Sequence, residues 1–278
     1  MTVARVITKS GNPWDKIAPG YDEFVTPTHM WLANEGVRRA RLSPGMRFLD
    51  VAAGSGALSI PAARLGAQVL SVDLSAVMLD RLKARAKKER LPLETRIMDG
   101  EVLLLKDDSF DVVGSQFGVM LFPDMPRGLR EMARVTKPGG RVLMTVYGDP
   151  GKIEFFAFFV RSIQAAVPGF TGPPMNPPPL PFQLKDPERL RRELSDAGLQ
   201  DVRVETITER LEFESGHQLW DWLTNSNPIV EAVLGELKLS DDQITLVRDT
   251  LDRLVRERAG GAGPAILTNP INIGVGVK

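Results

Sequence analysis

The stretch LDVAAGSGALSIPAARLGAQVLSVDLS, from Leu49 to Ser75, decides how this chain is read. An apolar strand pattern ends in Asp50 and opens into a turn that carries Gly54 and Gly56. A short helical stretch follows and stops at Gly66, and a second strand pattern ends in another aspartate, Asp73. Strand, glycine turn, helix and strand outline a nucleotide site at the carboxyl end of a parallel sheet.

The alternation continues downstream. Ser75 is placed to cap the amphipathic helix AVMLDRLKARAKKER, whose basic run reads as a solvated face. LETRIMDG is a strand, SFDVVGSQFGVMLF a strand that leaves through Phe117-Gly118, and MPRGLREMARVTKPGG a helix stopped by Pro-Gly-Gly before the strand RVLMTVY. Five strands with intervening helices predict a doubly wound α/β sheet. Upstream, residues 12–42 read as helical, with interruptions at Pro19-Gly20 and Pro27. Beyond Tyr147 come a very apolar helix, IEFFAFFVRSIQAAV, and a stiff segment, 168–187, with eight prolines in twenty residues. A helix from Pro187, a strand DVRVETITERLEF, helical residues 216–258 and a closing strand PAILTNPINIGVGVK complete the chain.

Composition narrows the function. Lys plus Arg and Asp plus Glu number 35 each, so no basic excess points to nucleic acid or a membrane surface. Cysteine is absent and the two histidines, His29 and His217, lie far apart, which argues against a zinc site; no metal is expected. No signal-peptide core and no apolar run of the roughly 20 residues a membrane helix needs are present, so a cytoplasmic protein is expected.

The turn distinguishes between nucleotides. A dinucleotide cradle needs a third glycine, and Ser59 stands there instead. Asp50 would repel a pyrophosphate but suits a ligand with an ammonium group. S-adenosylmethionine is such a ligand, with a zwitterionic end and no phosphate. Turn amides would meet its carboxylate, Asp50 its ammonium, Asp73 both ribose hydroxyls and Asp99 the adenine amino group.

These residues, with SVDLS and the following Met78, MDGEVL, SFDVVGSQFGV and KPGGRVL, resemble the class I S-adenosylmethionine-dependent methyltransferases over residues 46–147. DVAAGSG, with Ala52 where that family's first glycine stands, and WDKIAPGYDEF look most like the branch of ubiquinone and menaquinone C-methyltransferases. The resemblance implies a Rossmann-like seven-stranded sheet whose last strand is antiparallel. It also implies cofactor contacts from Tyr21, which would close over the cofactor, and from Asp50, Ala52, Gly54, Ser55, Gly56, Asp73, Leu74, Met78, Asp99, Gly100, Glu101, Gln116 and Phe117. The organisation expected is a helical lid (1–45), a cofactor-binding core (46–149), a Pro-rich cap insertion (150–185), core completion (186–213), a helical cap insertion (214–259) and the last core strand (260–278). Lid and insertions should form a mainly helical cap over the methyl group.

The cap is rich in aromatics: Phe155, Phe156, Phe158, Phe159, Phe170, Phe182, Trp220 and Trp222, with Met175. Most are expected to be the cap's own core, yet so many in a small cap suit an enclosed hydrophobic or aromatic metabolite. Methyl transfer from a sulfonium needs alignment above all, and a base where the acceptor must lose a proton. His29 and His217 are candidates, each against a reading as an ordinary capping or surface histidine. Gln116 and Tyr147, at strand ends, are candidates for lining the site. The function expected is C- or O-methylation of a small hydrophobic acceptor. The alternatives are a cyclisation or isomerisation that uses the cofactor only to shape the pocket, or a non-catalytic cofactor-binding protein. The IEFFAFFV helix and the N-terminal segment could also pack across a homo-oligomer interface.

Overall fold

The two strand patterns of the opening stretch become β1 (Arg47–Val51) and β2 (Gln68–Asp73), paired in parallel with Leu49 opposite Leu70 and Asp50 opposite Ser71. The computed structural model describes residues 12–278, apart from 174 and 262 and the side chains of 228, 229 and 232. The first eleven residues of the expected lid lie outside the described residues. β1 is buried on both faces from Phe48 to Val51, as its continuous apolar run requires in a parallel sheet. β3 (Leu93–Ile97), β4 (Phe110–Gln116) and β5 (Thr136–Tyr147) extend it in parallel. β6 (Gln200–Phe213) and β7 (Ala265–Val277) complete seven strands in the order β3-β2-β1-β4-β5-β7-β6. β7 runs antiparallel between β5 and β6. The chain steps outward from β1 to β3 and then crosses to β4 on the other side, so the switch point lies between β1 and β4. That is where an α/β sheet opens a crevice for a ligand.

Helices α3 (Ser59–Arg64), α4 (Ala76–Glu89), α5 (Met125–Val135) and α7 (Pro187–Asp196) follow strands β1, β2 and β4 and precede β6. Ser75 caps α4 by accepting the Met78 amide at 3.0 Å, as its position predicts. Two local expectations are corrected. α5 is not stopped by Pro138-Gly139-Gly140; it ends at Val135, and Thr136 donates its hydroxyl to the Met132 carbonyl at 2.7 Å. The Pro-Gly-Gly lies inside β5, where the pairing with β4 shifts between Phe110 and Val112. Nor do Pro19-Gly20 and Pro27 break the N-terminal segment. α1 (Pro13–Gly20) runs through a π-helical stretch, Tyr21–Val25, into α2 (Thr26–Arg39). Pro27 falls in the first turn of α2, where its missing amide is tolerated, and the wider π turn lets the Thr26 amide reach the Tyr21 carbonyl.

A second apolar core builds the cap. β6 and β7 project past the sheet, and Leu211, Phe213, Ala265 and Leu267 at that end pack among the helices. These are α6 (Glu154–Ala166), α8 (Gly216–Ser226), α9 (Pro228–Leu237) and α10 (Asp241–Ala259). α8 and α10 meet backbone to backbone: a Cβ on Gly216 would stand 2.1 Å from the Asp252 amide nitrogen. Gly216→Ala must therefore push the two helices apart, and should cost about 1–3 kcal/mol. Urea denaturation checks this; an unchanged midpoint would show that the cap yields freely there.

Candidate functional site

After β1 the chain reverses through Ala52–Gly56. Ala52, Gly54 and Gly56 all have left-handed backbone, at φ 58°, 52° and 101°. For Ala52 this costs roughly 1–2 kcal/mol. Gly56 is required twice over, since a Cβ there would come within 2.3 Å of Leu82 on α4. The turn is locked to the end of β2: the Gly54 amide donates to Asp73 Oδ2 and the Ser75 amide to Asp73 Oδ1, both at 2.8 Å. Each carboxylate oxygen keeps a second lone pair, and Asp73 lines the cleft that opens above the turn. Burial raises its carboxyl above the ordinary range.

Opposite, Asp99 follows β3 and accepts the Glu101 amide at 2.8 Å, while Glu101 Oε1 accepts the Asp124 amide and ties this loop to the start of α5. The cleft wall brings together ten of the expected residues beside Tyr21: Ala52, Gly54, Asp73, Leu74, Met78, Asp99, Gly100, Glu101, Gln116 and Phe117. Sequence reasoning missed Asn12, Trp14, Met98 and the 118–123 loop residues Gly118, Leu121, Phe122 and Pro123. Met98 precedes Asp99 directly, and its place beside a strand-end acid was the available signal.

Asp50, Ser55 and Gly56, three of the expected contacts, are not among the residues that line the cleft. Ser55 is fully buried and its hydroxyl meets Thr26 Oγ1 at 2.5 Å. The amides of Gly54 and Gly56 are spent on Asp73 and on the Ala53 carbonyl. Asp50 accepts the Ser59 hydroxyl at 2.5 Å through Oδ2, while Oδ1 has no partner among the described residues. Burial pushes its carboxyl up to about 7.

The N-terminal helices close one side. Asp15 accepts the Ser75 hydroxyl at 2.5 Å and Asp22 pairs with Arg85 at 2.5 Å, so the basic run on α4 is partly an anchor for the lid. Trp14 and Tyr21 meet edge to face at 5.9 Å over the cleft.

A second, apolar chamber adjoins the cleft, sharing Trp14, Tyr21, Phe117 and Leu121 with it. Phe155, Phe156 and Phe159 from α6, Phe182, Trp222 and the prolines 173, 179 and 181 line it, so both insertions contribute. Phe158, Phe170, Met175 and Trp220 do not line it. Phe117 stands at the junction. Its φ is 59°, a strained value for a bulky residue. Its ring stacks on Tyr147 at 4.5 Å and lies 4.9 Å from the His29 ring.

His29 faces this chamber and is buried, which drives its imidazole down to about 3 and keeps it neutral. Gln116 donates to the His29 carbonyl at 3.1 Å, leaving its Oε1 unbonded. His217 is corrected as a site candidate: it sits at the start of α8, 55% exposed, 3.8 Å from Asp252 and outside both cavities. Among the described residues no cluster of three or more His, Asp or Glu could hold a metal ion, and no helix is long and apolar enough to cross a membrane.

With this geometry in view, residues 49–144 match the methyltransferase domain family. A demethylmenaquinone methyltransferase of Corynebacterium efficiens is 30% identical over 208 residues, covering 70% of this chain and 87% of that one. A protein of unassigned function from Mycobacterium tuberculosis is 45% identical over 106 residues, or 38% of this chain; the match spans only 39% of that relative's length. Among solved structures, phosphoethanolamine N-methyltransferase 2 of Haemonchus contortus, in complex with S-adenosylmethionine, shares the fold. Its TM-score is 0.54 at 23% identity, over 89% of this chain and 52% of that one.

Proposed function

Because the chain belongs to the class I S-adenosylmethionine-dependent methyltransferases, we propose that it transfers a methyl group to a small hydrophobic or aromatic acceptor held in the cap chamber. One observation carries this reading: a polar cleft with carboxylates at the ends of β2 and β3 opens into an apolar aromatic chamber across a shared wall at Tyr21 and Phe117.

The residues fit the cofactor. Asp73 has spare lone pairs for the ribose hydroxyls, and Asp99 has a carboxylate oxygen free for the adenine amino group. Met78, Met98, Leu74 and Phe122 offer apolar surface for the adenine faces. Tyr21 and Trp14 would cover the bound molecule. Asp50 acts from beneath the turn as a buried negative charge that favours the cationic end. When bound, the cofactor supplies an electrophilic methyl on a sulfonium that leaves as a neutral thioether. Phe117, Tyr147 and the α6 phenylalanines would orient the acceptor and keep water out. The name of the Corynebacterium relative suggests a quinone-type ring, and the aromatic chamber suits one.

The test is mass spectrometry of the purified protein for bound S-adenosylmethionine or S-adenosylhomocysteine, followed by a screen of phenols, quinols and isoprenoids with labelled cofactor. Methylated product from an apolar acceptor is the expected result. A bound nicotinamide nucleotide would sink the cofactor assignment. Bound cofactor without any transfer would favour the reading in which it only shapes the pocket.

A further inference from the structure

One charged residue beside the chamber is not explained by packing. Glu209, on β6, is 1% exposed. Its Oε2 accepts a hydrogen bond from Asn269 Nδ2 at 3.0 Å, directly across the β6–β7 pair. Its Oε1 has no hydrogen-bond partner, and among the described residues no Lys or Arg pairs with it. The group facing it is His29, whose Nε2 lies 3.5 Å from Oε1. Neither ring nitrogen of His29 is hydrogen-bonded, although both are buried. A buried carboxylate without a cation is costly, and such groups concentrate where chemistry uses them.

We propose that Glu209 is the terminal proton acceptor of a relay running from an acceptor hydroxyl through His29, and that the acceptor is therefore a phenol or an enol. This rests on the methyl-transfer reading above. Before reaction Glu209 is a carboxylate, and His29 is neutral with its proton on Nε2, facing Oε1. The acceptor hydroxyl gives its proton to Nδ1, and Nε2 gives its proton to Glu209 Oε1. The hydroxyl's bonding pair stays on oxygen, which bonds to the methyl carbon as the sulfur–carbon bond breaks and leaves its pair on sulfur. Nothing is oxidised or reduced. One cation and one carboxylate enter the step; an ether, a thioether, a carboxylic acid and a neutral imidazole leave it. The apolar surroundings favour that cancellation, because separated charges are expensive at low dielectric. When product departs, Nδ1 gives its proton to water entering the chamber and Glu209 returns its own to Nε2, which restores the starting state.

The groups facing Glu209 are consistent with this. From α2 comes His29, from β5 Tyr147, from the π turn Tyr21, and from β7 the uncharged Asn269. Burial and the charge of Glu209 hold both tyrosines above their ordinary range, so they stay neutral. Burial pushes Glu209 itself up to about 7, which matches a proton acceptor working at neutral pH. Turnover should rise with pH through about 7 and then level off, because the protonated acid cannot accept.

The experiment compares wild type with Glu209→Gln on a series of substituted phenols of graded acidity, with saturating S-adenosylmethionine, from pH 5.5 to 8.5. The variant should lose about 10²-fold in turnover and the rising limb near pH 7, and lose least with phenols already ionised in solution. Independently of activity, the melting temperature of the ligand-free wild type should fall relative to that of the variant between pH 5 and 8. Wild-type turnover in Glu209→Gln, a flat wild-type pH profile, or melting curves that keep a constant difference would each overturn the relay while leaving methyl transfer intact. Methyl transfer confined to acceptors without a hydroxyl would overturn the relay alone; failure of wild type to methylate any acceptor in the screen, with cofactor bound, would overturn the relay and the reading it rests on together.

Discussion

Asp73→Ala should weaken cofactor binding by about 1.5–3 kcal/mol, a loss of roughly 10- to 150-fold. Asp73 is the carboxylate at the end of β2, and both oxygens already accept a backbone amide, from Gly54 and from Ser75. Those two bonds fix the carboxylate in one orientation before the ligand arrives. Its remaining lone pairs can then take two hydroxyl donors without reorganisation. The other acids of the cleft wall cannot replace it: Asp99 and Glu101 are tied to the loop after β3. Because the ribose is common to S-adenosylmethionine and S-adenosylhomocysteine, Asp73→Ala should weaken both equally in calorimetric titration. Asp73→Asn, which keeps one acceptor but turns a donor toward an amide, should fall between alanine and wild type. Unchanged affinity for both ligands would remove Asp73 from the ribose; a loss confined to S-adenosylmethionine would place it near the sulfonium instead.

Much of this site is legible in the sequence because strand ends are. β1 and β2 are apolar on both faces, so their limits are sharp, and the residue that ends β2 must stand at the sheet edge. Asp73 follows from that alone. What a residue does one step into the turn is not legible. Ser55 and Asp50 turn inward because Thr26 and Ser59 offer them partners from elements distant in sequence or behind the strand. Pro138-Gly139-Gly140 carries a helix-stop composition, yet the tertiary pairing of β5 claims it. Glu209 was readable in part. It shares the parity of Leu211 and Phe213, the buried face of β6, so strict alternation puts a carboxylate inside. Its partner His29 comes from α2, 180 residues earlier in the chain, and no local pattern connects them.

Asp50→Asn should stabilise the ligand-free protein at pH 8 and destabilise it near pH 4. Asp50 is 1% exposed, and burial raises its carboxyl from 3.8 to about 7, with the nearby charge of Asp73 acting in the same direction. The folded state therefore holds a proton that the unfolded state releases above pH 3.8. Stability from this group is complete below that value, is lost as pH rises toward 7, and is constant beyond it. At 1.36 kcal/mol per pKa unit the loss is about 4 kcal/mol. Asparagine keeps the acceptor for Ser59 and has no charge to bury, but its amide NH2 group, with two donors, stands where Oδ1 has no partner, which costs about 1–3 kcal/mol. The balance is a gain of about 2 kcal/mol at pH 8 and a loss of similar size at pH 4. His29, whose neutral burial favours folding as pH rises to 6.5, is present in both proteins and cancels in the difference. Urea denaturation at the two pH values reads this directly, and a variant less stable at both would show that Asp50 is not ionised in the folded protein at pH 8. The same substitution should weaken S-adenosylmethionine by about 1 kcal/mol at pH 8, since it removes a buried anion beneath the turn that holds the cationic ligand. Both outcomes together would assign Asp50 to binding rather than to folding, because it would cost the empty protein stability and strengthen its complex.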